Sequence, residues 1–334
     1  MNKKTVLFTL LIILIIFFSS LVIIFLNRQS LSSFVYKLSD ANFANQPTPF
    51  QPFIASVTPT SEGYSIQNSR MPVSDLRSPS GQINILLLGS DWRPTSGYRT
   101  DVVLLVSIFT KEQKVNLLSF PRDLYVDIPG FGQERINTTQ AKGGFELTKA
   151  TFEYNFGIHL DYYLLTNLNG FQAIVDTLGG IDINAATNLY DRCDLPYSHG
   201  SYCSVGPGEH HLDGPLALWY VRSRNSTSDF DRLRRAQEAL EGLFYKLMTW
   251  DAISRAPELY NLFISNVETN LTLNDVLPLL PLASKIASEP SRVQRFSIDR
   301  SQVTASTNPN TGAYILIPDY NAIWQIIKQA IYTP

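Results

Sequence analysis

The sequence predicts a layered α/β domain held outside a membrane by a single N-terminal transmembrane helix. Three observations predict it. Thr5 to Leu26 is an uncharged apolar run, and from Ile83 onward apolar segments of strand length alternate with helical periodicities. Between them lies a stretch rich in Pro, Ser, Thr and Asn.

The apolar run comes first. At ~1.5 Å per helical residue its roughly 22 residues reach about 33 Å, enough for a hydrocarbon core of about 30 Å. A cleavable signal peptide has a shorter apolar core and a small-residue cleavage site, for which Ser19-Ser20 is a poor match, so the run reads as an uncleaved signal-anchor. Lys3 and Lys4 precede it and only Arg28 and Lys37 follow closely, which puts the N-terminus in the cytoplasm and the rest outside. Residues 1–27 are thus a cytoplasmic tip and anchor. Residues 28–82 form a spacer, in which prolines at 47, 49, 52, 59, 72 and 79 exclude regular helix.

Strands are expected at Ile83 to Leu88, Val102 to Phe109 and Val115 to Phe120, each apolar enough to be covered on both faces. Gly144 to Phe156 has helical spacing, Tyr162 to Thr166 reads as a strand, and Asn169 to Leu178 as a helix stopped by Gly179-Gly180. Ile181 to Asn184 is a short strand. Asp213 is the expected N-cap of a helix to Tyr220, and Asp229 to Trp250 is a long amphipathic helix. Residues 83–250 form the main domain. Residues 251–334 form a helical extension packed on or continuing it, with helices at Ala256 to Phe263, Leu273 to Ile286 and Tyr320 to Ile331, and a strand at Val293 to Ile298.

The 27 basic and 29 acidic side chains form no basic stripe, which excludes nucleic-acid binding as a bulk electrostatic effect. The two cysteines, Cys193 and Cys203, flank a turn-rich segment and in an oxidising space read as a local disulfide; the rival is a metal site with His199, His210 or His211. Phosphate-loop, nucleophile-elbow and zinc-protease motifs are missing. The chemistry lies in arginines and aspartates at element ends: Asp91, Arg99 and Asp101, Arg122 and Asp123, Arg222 and Arg224, then Asp229 and Arg232. Guanidinium forks match phosphate oxygens, and carboxylates beside phosphates hold a hard divalent cation. Taken singly, each could be an ordinary surface ion pair.

The order of motifs resembles the LytR-CpsA-Psr family over about residues 83–250. It is carried by Ile85-Leu86-Leu87-Leu88-Gly89-Ser90-Asp91, Arg99-Thr100-Asp101, Ser119-Phe120-Pro121-Arg122-Asp123, Asn137 with Gly143-Gly144, Gly179-Gly180-Ile181, Leu212-Asp213-Gly214, Arg222-Ser223-Arg224 and Asp229-Phe230-Asp231-Arg232. The resemblance implies a three-layer α/β/α fold with a central mixed sheet. It implies a membrane-anchored extracytoplasmic phosphotransferase that moves a glycopolymer from an undecaprenyl pyrophosphate carrier to peptidoglycan in cell wall biogenesis, releasing undecaprenyl phosphate. On it, Arg99, Arg122, Arg222, Arg224 and Arg232 resemble a pyrophosphate clamp, and Asp91 and Asp101 resemble the carboxylates for magnesium or manganese. Asp101 and Asp229 join the arginines as catalytic candidates.

It also implies a tunnel for the lipid, lined by the apolar helices Phe145 to Phe156, Phe171 to Leu178 and Leu240 to Leu247. The sequence departs from the family at Ala236, where a glutamine is usual, with Gln237 beside it. Two alternatives share the region: a polyprenyl-pyrophosphate pyrophosphatase, and a non-catalytic lipid-glycan-binding or regulatory protein of the envelope. A sugar receptor would use Trp92, Trp219 and Tyr220 as aromatic platforms.

Overall fold

The computed structural model describes residues 78–93, 97–249 and 255–333. The predicted anchor and nearly all of the spacer lie outside the described residues. Among the described residues no helix is long and apolar enough to cross a membrane.

The chain runs β1 (Gln82–Arg93), β2 (Gly97–Phe109), β3 (Lys114–Ser119), a hairpin β4 (Tyr125–Ile128) and β5 (Gly132–Arg135), and α1 (Thr139–Phe156). Then come β6 (Tyr162–Asn167), α2 (Leu168–Thr177), β7 (Ile181–Ala185), β8 (Leu189–Arg192), β9 (Tyr202–Val205) and β10 (Gly208–Leu212). Two helices follow, α3 (Gly214–Arg222) and α4 (Asp229–Leu247). The last part holds α5 (Ala256–Asn266), β11 (Val267–Thr269), α6 (Leu273–Val276), α7 (Leu280–Ser288), β12 (Val293–Ser297), β13 (Val303–Thr307), β14 (Tyr314–Pro318) and α8 (Tyr320–Ile327).

The central sheet has the order β11-β6-β1-β2-β3-β12. It is mixed: β1 runs parallel to β6 and β12 parallel to β3, while β1–β2, β2–β3 and β11–β6 are antiparallel. Both edge strands come from the part of the chain after residue 251, which thereby completes the sheet.

Helices cover both faces, and alternation along the strands decides what each face receives. Leu86, Leu88, Val103, Leu105, Leu118 and Phe120 point into a closed core with α1 and α8. Phe120 lies 5.0 Å from the Phe152 ring and 5.1 Å from Phe156, aromatic spacings that fill the layer. Helix α1 therefore belongs to this dry core and not to a lipid tunnel. It starts earlier than its periodicity predicts and is interrupted at Gly143 and Gly144, where Gly144 takes φ +63°. The residues of the opposite face, Leu87, Leu104 and Leu164, meet α2, α4 and α5 around a cavity.

The single helix expected from Leu273 to Ile286 is broken, because Pro278 and Pro281 each lack an N–H for the preceding turn. A short 3-10 turn at Leu277–Leu279 separates α6 from α7. The strands of the hairpins β4–β5, β8–β9 and β13–β14 are only four or five residues long, too short for a periodic signal.

Candidate active site

Strands β1 to β3 place the first group of charges. The β1–β2 register runs Gly89 opposite Val102 and then Ser90 opposite Thr100, so Asp101 is the extra residue of a β-bulge. A bulge frees a residue from the ladder and re-aims its side chain. Asp101 turns to Arg122, which follows β3: Arg122 Nη1 donates to Asp101 Oδ1 at 2.6 Å. Arg122 Nε lies 3.4 Å from Asp123 Oδ2 and 3.6 Å from Asp229 Oδ2. Asp229 in turn accepts from Arg232 Nη2 at 3.2 Å, one turn further along α4. Four predicted residues, Asp101, Arg122, Asp229 and Arg232, thus form one connected chain of ion pairs.

Asp123, noted in the sequence beside Arg122, joins this network, and through it so does Arg135, which sequence reasoning did not single out. Asp123 is buried and accepts from Arg135 Nη1 at 3.0 Å, and Arg135 ends the β4–β5 hairpin. No motif marks Arg135; only the hairpin brings it near. The network balances three guanidiniums against three carboxylates. Burial alone would lower the Arg122 pKa, but Asp101, Asp229 and Asp123 outweigh it and push the group above its ordinary value. Arg232 is 4% exposed, and its Nε is buried without a hydrogen-bond partner. A buried charged N–H with no acceptor is costly unless a ligand supplies one.

The remaining candidates sit on the neighbouring strands and on the segment that leads from α3 into α4. Asp91 and Arg99 are directly opposite one another on β1 and β2. Arg222 and Arg224 are exposed, and neither has an ion pair among the described residues. Their loop is nevertheless held firmly. Buried Arg235 donates to the carbonyls of Tyr220 and Ser223 and to Thr227 Oγ1. From the other side, buried Asp191 Oδ2 accepts from the Asn225 N–H at 2.9 Å.

Asp191 stands opposite Cys203 in the β8–β9 hairpin, which is closed by the Cys193–Cys203 disulfide with Cα atoms 5.7 Å apart. On the loop-entropy estimate this closure contributes about 2–3 kcal/mol. Reduction is expected to lower the melting temperature by several degrees and to loosen the arginine loop through Asp191. An unchanged melting curve in reductant would contradict this.

Helix α4 is positioned by its own sequence. Ser228 caps it, accepting from the Asp231 N–H at 3.1 Å, while Asp231 Oδ2 accepts from the Ser228 N–H at 3.0 Å, a capping box that fixes Asp229 in the first turn. Ser228→Ala is expected to cost about 1 kcal/mol. Burial would raise the Asp231 pKa, but the bonds from Ser228, with Arg234 and Arg235 nearby, hold it below its ordinary value. A depressed carboxylate stabilises above its unfolded value near 4, and the gain is lost as pH falls through the folded value. Denaturant unfolding at pH 7 and at pH 3 should therefore show the Ser228→Ala penalty shrink in acid.

The cavity beside the charges measures about 760 Å³ and is lined almost wholly by apolar side chains. Phe171, Ile174, Leu240, Leu243 and Leu247, on two of the predicted lining helices, do face it. Several of the charged segments also contribute to its wall, though the Arg122–Asp123 segment does not. Gly89 lies two residues before Asp91, Val102 follows Asp101, Val221 precedes Arg222, and Ala236 is one turn after Arg232. Ala236 faces this cavity, whereas Gln237 points away and donates to Ser119 Oγ and the Phe296 carbonyl at 2.8 and 2.9 Å. Gln237 is therefore a strut between α4 and the sheet and makes no replacement for a ligand contact at 236. Tyr220 is fully buried and Trp219 nearly so, with Trp219 Nε1 bonded to the Arg192 carbonyl, which removes both as sugar platforms.

Among the described residues no cluster of three or more His, Cys, Asp or Glu side chains could hold a metal by itself. Asp91 and Asp101, two carboxylates on paired strands, fit a hard cation that takes one or two carboxylates and completes its shell with phosphate oxygens and water.

Comparison with known proteins places these features in a lineage. The chain is 32% identical over 194 residues to Regulatory protein MsrR of Staphylococcus aureus (strain COL), a match covering 57% of each chain. It is 30% identical over 236 residues to the Polyisoprenyl-teichoic acid–peptidoglycan teichoic acid transferase TagT of Bacillus subtilis (strain 168), covering 66% of this chain and 73% of TagT. In three dimensions it resembles the crystal structure of B. subtilis TagV, with a TM-score of 0.62 and 25% identity over 78% of this chain and 100% of that one. It also resembles TagT bound to LIIa-WTA, with a TM-score of 0.58 and 27% identity over 75% and 90% of the two chains. The sequence profile of the LytR_cpsA_psr family matches residues 54–330, and the chain belongs to that family.

Proposed function

We propose that the chain is an enzyme, a membrane-anchored extracytoplasmic phosphotransferase. It moves a glycopolymer from an undecaprenyl pyrophosphate carrier to peptidoglycan, forms a phosphodiester link and releases undecaprenyl phosphate. The observation that carries this reading is an arginine–carboxylate network, two of whose segments, around Asp101 and from Asp229 to Ala236, also line an apolar cavity. Such a pair of environments suits a molecule with a charged head and a hydrocarbon tail. TagT and TagU, which share the family, are named as polyisoprenyl-teichoic acid–peptidoglycan teichoic acid transferases, and their names agree with this reading.

In this reading Arg99, Arg122, Arg222, Arg224 and Arg232 grip the pyrophosphate, with the buried Arg232 Nε finding its acceptor there. Magnesium or manganese, held by Asp91 and Asp101, supplies further neutralisation of the phosphate oxygens. A wall hydroxyl oxygen forms a bond to the phosphorus that bears the polymer. The bond from that phosphorus to the bridging oxygen breaks, and undecaprenyl phosphate leaves with the electron pair. Asp101 already holds Arg122 at 2.6 Å, while Asp229 is held only at 3.2 and 3.6 Å, so Asp229 is the carboxylate best able to take the hydroxyl proton. Guanidiniums fixed before the reaction stabilise the growing charge without rearrangement. The apolar run from Thr5 to Leu26 keeps the domain beside the membrane that holds the donor.

The test uses the full chain in nanodiscs with magnesium, a lipid-pyrophosphate glycan and peptidoglycan fragments, and reads products by mass spectrometry. A glycan–phosphate–peptidoglycan adduct with released lipid monophosphate is expected. Free glycan phosphate alone would identify a pyrophosphatase. The name Regulatory protein MsrR favours a second reading, a non-catalytic lipid-glycan binder, and tight donor binding without either product would establish it.

A further inference from the structure

Helix α4 presents two stripes. Ala236, Ala239 or Leu240, Leu243 and Leu247 face the apolar cavity, while Glu238, Glu241, Gly242 and Tyr245 line a second hollow of about 440 Å³ on another flank. Its other walls are the β7–β10 ladder and Arg295 of β12. The helix can approach that ladder because residue 242 is glycine: a Cβ there would lie 2.5 Å from the Asp182 carbonyl oxygen. Measured along the helix, Glu241 and Tyr245 are about 14–20 Å from Arg232, so this hollow is separate from the arginine–carboxylate network.

The second hollow mixes polar and apolar surface, and its polar groups are incompletely satisfied. Tyr245 Oη and His210 Nε2 are both buried and have no hydrogen-bond partner among the described residues. Other groups on its walls are already matched: Glu241 pairs with Arg295, Asp182 with His211 Nδ1 at 2.6 Å, and Glu238 accepts from Tyr220 and Arg234. Four carboxylates (Asp182, Glu209, Glu238 and Glu241) outnumber the two guanidiniums paired with them, Arg295 and Arg234, so an anionic ligand is repelled. A phenol oxygen donates and accepts, and an imidazole nitrogen does one or the other according to tautomer. The complement of such a pair is a set of hydroxyl groups, which can act in either sense. A volume of this size lies within the range of small-ligand pockets.

We propose that this hollow is a saccharide subsite for an uncharged, hydroxyl-rich sugar unit, with Tyr245 and His210 as its hydrogen-bonding residues. It deepens the transferase reading and rests on it for its biological role. The sugar comes from the acceptor wall glycan or from the donor polymer, and the two are separable by kinetics.

The direct test measures binding of chitotriose to the full chain in nanodiscs, with a glucosamine trimer as cationic and trigalacturonate as anionic comparator. Saturable binding of chitotriose is expected, with trigalacturonate weakest. Tyr245→Phe should weaken chitotriose about 3–10-fold, the value of one hydrogen bond, and Arg222→Ala should leave it unchanged. A melting curve of Tyr245→Phe equal to wild type shows that the loss is local. In the transfer assay Tyr245→Phe should raise KM with little change in kcat: KM for peptidoglycan if the acceptor fills the subsite, KM for the donor if the polymer does. Absence of chitotriose binding, preference for either charged trimer, or an unaffected Tyr245→Phe variant overturns the subsite. Chitotriose binding without any transfer by the wild type would leave the subsite standing and remove the transferase reading.

Discussion

Arg122→Ala is expected to reduce transfer by about 10²–10³-fold or more, the usual effect of removing a preorganised donor to developing charge. Its effect on the fold is also large. Arg122 is the common partner of Asp101, Asp123 and Asp229. Removing one partner of a buried pair costs about 3–5 kcal/mol. The lower end applies here, because Asp101 and Asp229 keep about a fifth to a quarter of their side-chain surface in solvent and Asp123 keeps Arg135.

Two further variants separate chemistry from folding. Arg122→Lys restores the charge without the fork and should recover most of the stability but little of the rate. Arg222→Ala removes an exposed group with no ion pair among the described residues, so stability should change by about 0.5 kcal/mol or less while transfer still falls. Transfer near the wild-type rate in both Arg122→Lys and Arg222→Ala would dismiss the proposed clamp.

The contrast between these two arginines shows how far the sequence could be read. Arg122, Arg222 and Arg232 are conspicuous because each sits beside an acidic or second basic residue at the end of an apolar segment. The division between a paired network and two arginines with no ion pair among the described residues was not legible. It depends on the bulge that frees Asp101, on Asp123 turning back to Arg122, and on Arg135 arriving from a hairpin too short to leave a pattern.

The same limit applies to the helices. Periodicity located α1, α2 and α4 and showed that each has an apolar stripe, but a stripe does not say which side of a sheet it covers. Helix α1 went to the aromatic core around Phe120, while α2 and α4 went to the cavity. The deciding information is the alternation of β1 to β3 combined with chain connectivity, and the sequence shows only the first. Gln237 is a similar case: one residue's displacement, about 100° around a helix, turns it from the cavity wall at Ala236 to the sheet.

Ala236→Phe tests the cavity where it meets the charges. Ala236 lines the wall one turn beyond Arg232, so a phenyl ring added there enters the space next to the pyrophosphate end. Filling an existing void does not carry the usual cost of overpacking, which arises when extra atoms must displace a dense core. Burial of the added ring should hold stability level or raise it by about 1 kcal/mol. Transfer from a long polyprenyl donor should nevertheless fall, by about 10²-fold in kcat/KM if the tail must pass this point, since a misplacement of about 1 Å at a reacting centre has that effect. A donor carrying a tail of only two isoprene units should be affected much less, because little of it has to enter. The two donors thus convert a cavity seen in the fold into a ratio of rates. Equal losses for both would mean that the ring disturbs the phosphate site and that the cavity holds no tail. No loss for either, in a variant whose melting temperature confirms the ring is buried, would mean that the lipid lies elsewhere on the domain.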